Sequence, residues 1–173
     1  MKHKLCLLWS WVVMLLTDCL PDVPSLMRFR GWLLGAAMRE RGRNFQVGAH
    51  VFLKGLENLS VGAHVYLAPG VVILSGADVR LDDEVMIAYY SVISSGDHSK
   101  RDGSYRFGAA RRLSVKIGKG TWIGANSTIV AGVHIGVGVL VGANSVVTKD
   151  VPDHAVVGGS AAKVIRLEAE PRD

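Results

Sequence analysis

The sequence predicts a parallel β-helix, a solenoid of short strands stacked coil on coil. Three observations predict it: an aliphatic residue recurs every six positions, all isoleucines but one hold that position, and glycine stands beside it. From Ile117 the register is unbroken, with Ile117, Ile123, Ile129, Ile135, Val141 and Val147 each six apart. Of the eight isoleucines in the chain, seven (Ile73, Ile87, Ile93, Ile117, Ile123, Ile129 and Ile135) hold this position and only Ile165 does not. Glycine follows it at Gly118, Gly124, Gly136 and Gly142, and a small or β-branched residue comes four later at Thr121, Ser127, Val133, Val139, Ser145 and Val151. Six residues make one short strand and one turn, and three such units close a triangular coil. The aliphatic side chain points into the prism and stacks on its equivalent one coil away, while glycine admits the tight turn. A helix would need a period of 3.6 and a sandwich a period of two, and neither is present.

The earlier repeats keep the pattern with slips. Val47 and Leu53 share one register, Val61, Leu67 and Ile73 a second, and Leu81, Ile87 and Ile93 a third, each displaced by two residues. This register predicts coils at 61–80, 81–98, 117–134 and 135–152, a partial coil from 47, and bulged corners at the slips. Composition agrees: 49% of residues are hydrophobic but only 7% aromatic, and there are 20 glycines. Thin, repetitive layers favour such small and β-branched residues.

Three segments follow: an N-terminal part at 1–45, the β-helix at 46–152 with a loop at 97–116, and a tail at 153–173. Leu5 to Leu16 is apolar and follows Lys2 and Lys4, as in a signal peptide, but Asp18 and Leu20 stand where a small-residue cleavage site belongs. A dozen apolar residues also fall short of the roughly 20 that span a bilayer. Pro21 and Pro24 break the chain, and Ser25 is the expected cap of a second helix from Leu26 to about Arg41. This helical pair caps the first coil, as solenoids require, or lies on the inner membrane surface of a cytoplasmic protein, and the two readings are not exclusive. Cys6 and Cys19 form no metal framework and are expected as two buried thiols of a reducing compartment.

The net charge of +5 is uneven. Residues 1–45 carry seven basic and three acidic side chains, and residues 97–116 carry six and two. Two local excesses with no readable motif argue against a nucleic-acid partner and suit contact with anionic groups.

The register stops after Ile93 and resumes at Ile117, and between them lies a loop that begins Gly96-Asp97-His98. In a solenoid, an insertion of this size is commonly the functional face. His98, the string Ile117-Gly-Lys-Gly-Thr-Trp-Ile-Gly-Ala-Asn126, the run Val141-Gly-Ala-Asn-Ser-Val-Val-Thr-Lys-Asp-Val-Pro152, and Val157-Gly-Gly-Ser-Ala-Ala-Lys-Val-Ile-Arg166 carry a resemblance. Together they resemble the maltose, galactoside and xenobiotic O-acetyltransferases of the hexapeptide-repeat family and the related enzymes that decorate surface polysaccharides. The resemblance covers about two-thirds of the chain and implies a left-handed β-helix that uses acetyl-CoA, without a metal, to acetylate a carbohydrate hydroxyl. The N-terminal helical pair is similar to that of the polysaccharide-modifying members.

The resemblance makes His98 the general base. A sugar hydroxyl is a poor nucleophile at neutral pH, and imidazole titrates near neutrality. A backbone N–H opposite His98 is expected to hold the oxyanion. The resemblance places acetyl-CoA along small residues, Gly124, Ala125, Gly142 and Ala143, with Thr148, Lys149, Lys163 and Arg166 near its nucleotide end, where cations pair with phosphates. Ala161 departs from the proline usual before the alanine-lysine pair. Asp97, Tyr90, Trp122 and Asn126 are candidates for the acceptor side, although Asp97 and Asn126 also suit plain turns and Trp122 a subunit contact. In this family the site lies between chains, which implies a homotrimer.

His50, His64 and His134 are expected at exposed corners, with His3 and His154 outside the coils. The paired-histidine spacing of the zinc-dependent relatives of this fold is absent. The basic loop residues Arg101, Arg106, Arg111 and Arg112 either face solvent or meet an anionic group. Acceptors left open are a sugar hydroxyl, a sugar amine and a small xenobiotic alcohol; a scaffold that has lost catalysis is the non-enzymatic alternative.

Overall fold

The computed structural model describes residues 2–169, so the last four residues of the 153–173 tail lie outside it. Three parallel sheets form the faces of a left-handed triangular β-helix. The first face stacks Glu40–Arg41, Leu59–Val61, Val79–Leu81, Val115–Ile117 and His134–Ile135. The second stacks Gln46–Val47, Tyr66–Leu67, Met86–Ile87, Trp122–Ile123, Leu140–Val141 and Ala155–Gly158, and the antiparallel strand Lys163–Leu167 closes it. The third stacks Phe52–Lys54, Val72–Leu74, Val92–Ser94, Thr128–Ile129 and Val146–Val147.

The repeating aliphatic residues form the core. Ile73, Ile87, Ile93, Ile117, Ile123 and Ile129 are each 0% exposed. Ile129 pairs in register with Ile93 on one side and Val147 on the other, so one residue type stacks along one line. The second inward position is also buried, and where it is polar it is bonded. Ser127 donates its hydroxyl to the Gly142 carbonyl at 3.0 Å and accepts the Ser145 N–H at 3.3 Å. Ser91 donates to the Gly124 carbonyl in the same way, and Thr121 to the Gly136 carbonyl.

Glycine after the aliphatic residue answers to close approach of coils. A Cβ on Gly118 would lie 2.5 Å from the carbonyl carbon of Gly136. The left-handed backbone lies two residues further on, where Asn126 (φ 56°), Asn144 (φ 58°), His64 (φ 61°) and Tyr90 (φ 57°) adopt it. Short polar side chains tolerate that conformation better than most.

The stack begins earlier and ends later than the repeat alone marks. Glu40–Arg41 already pairs with Leu59–Val61. Beyond Pro152, Val151 bridges Ile135, and Ala155–Gly158 pairs with Leu140–Val141. His154 is therefore a corner residue of a partial sixth coil (φ 56°), not a residue outside the coils. His134 is an exposed strand residue, not a corner.

Two helices close the N-terminal end. Helix α1 spans Lys2–Thr17 and α2 spans Pro24–Gly35. Ser25 does not cap α2: Val23 is the cap residue, without a side-chain bond, and Pro24 takes the first turn, where its missing N–H costs nothing. The helix ends at Gly35, short of Arg41, because the chain must extend at Glu40 to join the first sheet. Cys6, Val13 and Met14 of α1 and Leu34 of α2 belong to the prism core, so the pair does cap the first coil. Arg30, 0% exposed, ties the cap down by donating to Asp22 and to the carbonyls of Thr17, Leu20 and Val47. Cys6 is buried, but Cys19 is exposed in the turn after α1, and no disulfide joins them.

Candidate active site

The slips and the loop share one edge of the prism. Every irregular spacing, Leu53 to Val61, Ile73 to Leu81 and Ile93 to Ile117, follows a strand of the third face. In the first coil the extra residues form a 3-10 turn, Leu56–Asn58, entered through Gly55 at φ 84°. In the second they form the bend after Ser75, and Asn58 binds the two corners together through the Ser75 carbonyl at 3.0 Å. In the third they become the loop. Its stem is an antiparallel ribbon of Gly96–His98 and Ala110–Arg112, closed at its base by the Leu113 N–H donated to the Ser95 carbonyl at 3.0 Å.

These corners line a cleft of about 560 Å³. Lys54, Glu57 and Asn58 come from the first coil, Leu74, Ser75 and Gly76 from the second, and Ser94 and Gly96 from the third. Asp97, His98, Ala110, Arg111 and Arg112 come from the ribbon, and His3 from the first turn of α1. His98 is exposed and lies opposite Ala110, whose small side chain leaves the imidazole room. Gly96 lies opposite Arg112, and side chains alternate along a strand, so Arg112 shares the face of the ribbon with His98. Asp97 lies opposite Arg111. Its carboxylate accepts the backbone N–H of His98 at 2.7 Å, so it fixes the peptide that carries the imidazole.

Glu57 pairs with His3. Burial pushes its carboxyl up, but its own backbone N–H, His3 and Cys6 outweigh burial and hold it below the ordinary carboxylate value. The second Glu57 oxygen and the Ser75 hydroxyl are buried without a hydrogen-bond partner among the described residues. Native folds leave few such atoms, and here both belong to cleft residues.

The other expected site residues lie elsewhere. Gly124, Ala125 and Asn126 form the edge between the second and third faces, and Gly142 and Ala143 form it one coil on. Tyr90 stands on that edge one coil before, its ring against Gly70, away from the cleft. Trp122 faces outward on the second face, 45% exposed, between Met86 and Leu140. Thr148 and Lys149 share the edge that carries His98, two coils further on. Lys163 and Arg166 lie on the exposed closing strand, where Arg166 pairs with Glu168 at 2.7 Å. Within one chain, then, His98 and the small-residue edge occupy different edges of the prism. Among the described residues no group of three or more His, Cys, Asp or Glu side chains is arranged to hold a metal.

Residues the sequence did not single out are His3, Lys54, Glu57, Asn58 and Ser75. Their signal was present: the two-residue slips fall at the corner that later opens into the loop.

The family described as hexapeptide repeat of succinyl-transferase matches residues 114–149. Galactoside O-acetyltransferase of Escherichia coli (strain K12) is 31% identical over 150 residues, which cover 87% of this chain and 73% of that protein. Nodulation protein L of Rhizobium meliloti (strain 1021) is 42% identical over 123 residues; these are 71% of this chain but 60% of that protein, less than two thirds of its length. Among solved structures, a hexapeptide-repeat acetyltransferase of Vibrio cholerae O1 biovar eltor, complexed with acetyl coenzyme A, superposes with a TM-score of 0.85 at 25% identity, over 96% of this chain and 89% of that one.

Proposed function

The chain belongs to the hexapeptide-repeat acetyltransferase family, and from that premise we propose that it transfers an acetyl group from acetyl-CoA to a hydroxyl of a sugar. The observation that carries this reading is the placement of His98 on the rim of the cleft, where the repeat is interrupted. The acceptor lies in the cleft and presents its hydroxyl to the imidazole. His98 takes the hydroxyl proton as the oxygen attacks the thioester carbonyl carbon. The tetrahedral oxyanion is held by a backbone N–H. Its collapse breaks the carbon–sulfur bond, and the imidazolium returns the proton to the CoA thiolate. A positioned base of this kind contributes roughly 10²–10⁴ in rate.

A homotrimer completes the site. Acetyl-CoA runs along Gly124, Ala125, Gly142 and Ala143 of one chain toward His98 of the next. The separation of these two edges within one prism supports this arrangement, as does the outward apolar row of Tyr66, Met86, Trp122 and Leu140 on the second face. Thr148, Lys149, Lys163 and Arg166 serve the nucleotide end. The acceptor is a surface polysaccharide or its precursor. An open cleft rimmed by Arg111 and Arg112 suits a long or charged glycan better than a small enclosed alcohol. The galactoside enzyme among the relatives supports a carbohydrate.

The test is incubation of the purified protein with acetyl-CoA and a panel of sugars and cell-surface glycans, scored by mass spectrometry and thiol release. The expected result is an added acetyl ester that mild base removes. Binding of acetyl-CoA with no transfer to any hydroxyl would reduce the protein to a scaffold, and a base-stable product would indicate an amine acceptor.

A further inference from the structure

We propose that the helical cap docks peripherally on an anionic lipid surface. From Leu5 to Leu16 helix α1 is apolar on every side but for Ser10, and only one side is used by the cap. Its outer side presents Leu8, Trp11, Leu15 and Leu16, exposed by 56%, 62%, 60% and 67%. Helix α2 also presents exposed aromatics, Phe29 and Trp32, 46% and 58% exposed and stacked with centroids 6.3 Å apart. A helix apolar on every side is ordinarily covered on every side, and single-chain burial leaves this face bare.

Charge selects the occupant. The acidic residues of the two helices and the turn between them are Asp18 and Asp22, and both are engaged inward. Asp18 accepts the His50 N–H at 2.9 Å, while Asp22 accepts the Ala49 N–H at 3.0 Å and pairs with Arg30. The exposed Lys4 and Arg28 carry no salt bridge among the described residues. Lys4 lies one turn before Leu8, on the stripe that runs through Trp11 and Leu15, and Arg28 lies one turn before Trp32. An apolar, tryptophan-bearing face whose margin carries unpaired cations, with the neighbouring Asp18 already engaged by the His50 N–H, complements anionic headgroups and repels a second copy of itself. None of the described helices is long and apolar enough to cross a membrane, so the contact lies in the surface plane. His3, in the first turn of α1, also lines the cleft, so docking holds the cleft beside the bilayer. This placement serves acceptors attached to lipid; that consequence rests on the acetyl-transfer reading, whereas the docking does not.

The test is flotation of the full chain with vesicles of phosphatidylcholine alone and of phosphatidylcholine mixed with phosphatidylglycerol. The expected result is binding about tenfold tighter to the anionic vesicles, weakened by salt, with a blue shift of tryptophan emission. The double variant Trp11→Ser, Leu15→Ser should lose binding while its thermal unfolding stays unchanged, because both side chains are exposed. Lys4→Glu with Arg28→Glu should abolish the preference for anionic lipid. No binding to either vesicle overturns the proposal, as does binding that Trp11→Ser, Leu15→Ser leaves intact. Loss of self-association in that double variant, seen by ultracentrifugation without vesicle binding, would assign the face to a second copy and equally overturn it. None of these readouts needs acetyl transfer, so failure of the enzymatic reading leaves them informative.

Discussion

The two halves of the prism are built from one repeat and differ at one edge. From Ile117 to Val147 every unit is six residues, the inward column is aliphatic, and the buried hydroxyls of Thr121 and Ser127 are bonded to the next coil. From Glu40 to Ser114 the same two faces and two edges repeat cleanly, but the third edge takes two extra residues, then two more, then a loop. The buried unpartnered atoms, on Glu57 and Ser75, belong to residues of that edge. Regularity optimises stacking and leaves no concavity. Irregularity at one edge opens a cleft and leaves two buried side-chain oxygens there without a partner among the described residues.

The largest loss of stability is expected at the core column. Ile129→Ala removes a side chain stacked between Ile93 and Val147, and should cost about 2–5 kcal/mol of stability in chemical denaturation. Its rate per folded molecule should change little. The glycines then separate the halves. Gly118→Ala drives a Cβ to 2.5 Å from the Gly136 backbone and should destabilise by about 1–3 kcal/mol. Gly96→Ala meets nothing within 4 Å, so its melting temperature should match the parent, while the added methyl in the cleft raises the acceptor KM several-fold.

Ser127→Ala sharpens the contrast on a smaller scale. It orphans the buried Ser145 N–H and should cost roughly 1–3 kcal/mol, measured by urea unfolding. The smallest effect belongs to Glu57. Its carboxyl is held below the ordinary value, so the stability it contributes is present above the unfolded carboxylate value and lost as pH falls through the folded one. The melting temperatures of the parent and Glu57→Gln should therefore differ at neutral pH and converge in acid.

The core was legible in the sequence because one position repeats. Ile73, Ile87, Ile93, Ile117, Ile123 and Ile129 declare the prism by spacing alone, and each is fully buried. His98, which lines the cleft, stood out because the loop after Ile93 begins Gly96-Asp97-His98 and because it matches the histidine of the family the chain resembles. The rest of the cleft was not, since Lys54, Glu57 and Ser75 come from coils some twenty residues apart and meet only through stacking. The irregular spacings read as bulges; that they fall on one edge emerges only when each is assigned to a face. The end of α2 escaped for a similar reason: helical patterning continues past Gly35, and pairing of Glu40 with Ser60 overrides it.

If His98 is the base, chemistry belongs to the irregular edge and stability to the regular half. The most direct measurement is the rate of acetyl transfer by His98→Ala, taken with its acetyl-CoA affinity by calorimetry and its melting temperature. The expected result is a fall of roughly 10²–10⁴ in rate with affinity and melting temperature unchanged. A His98→Ala protein that transfers acetyl at the parental rate would contradict it.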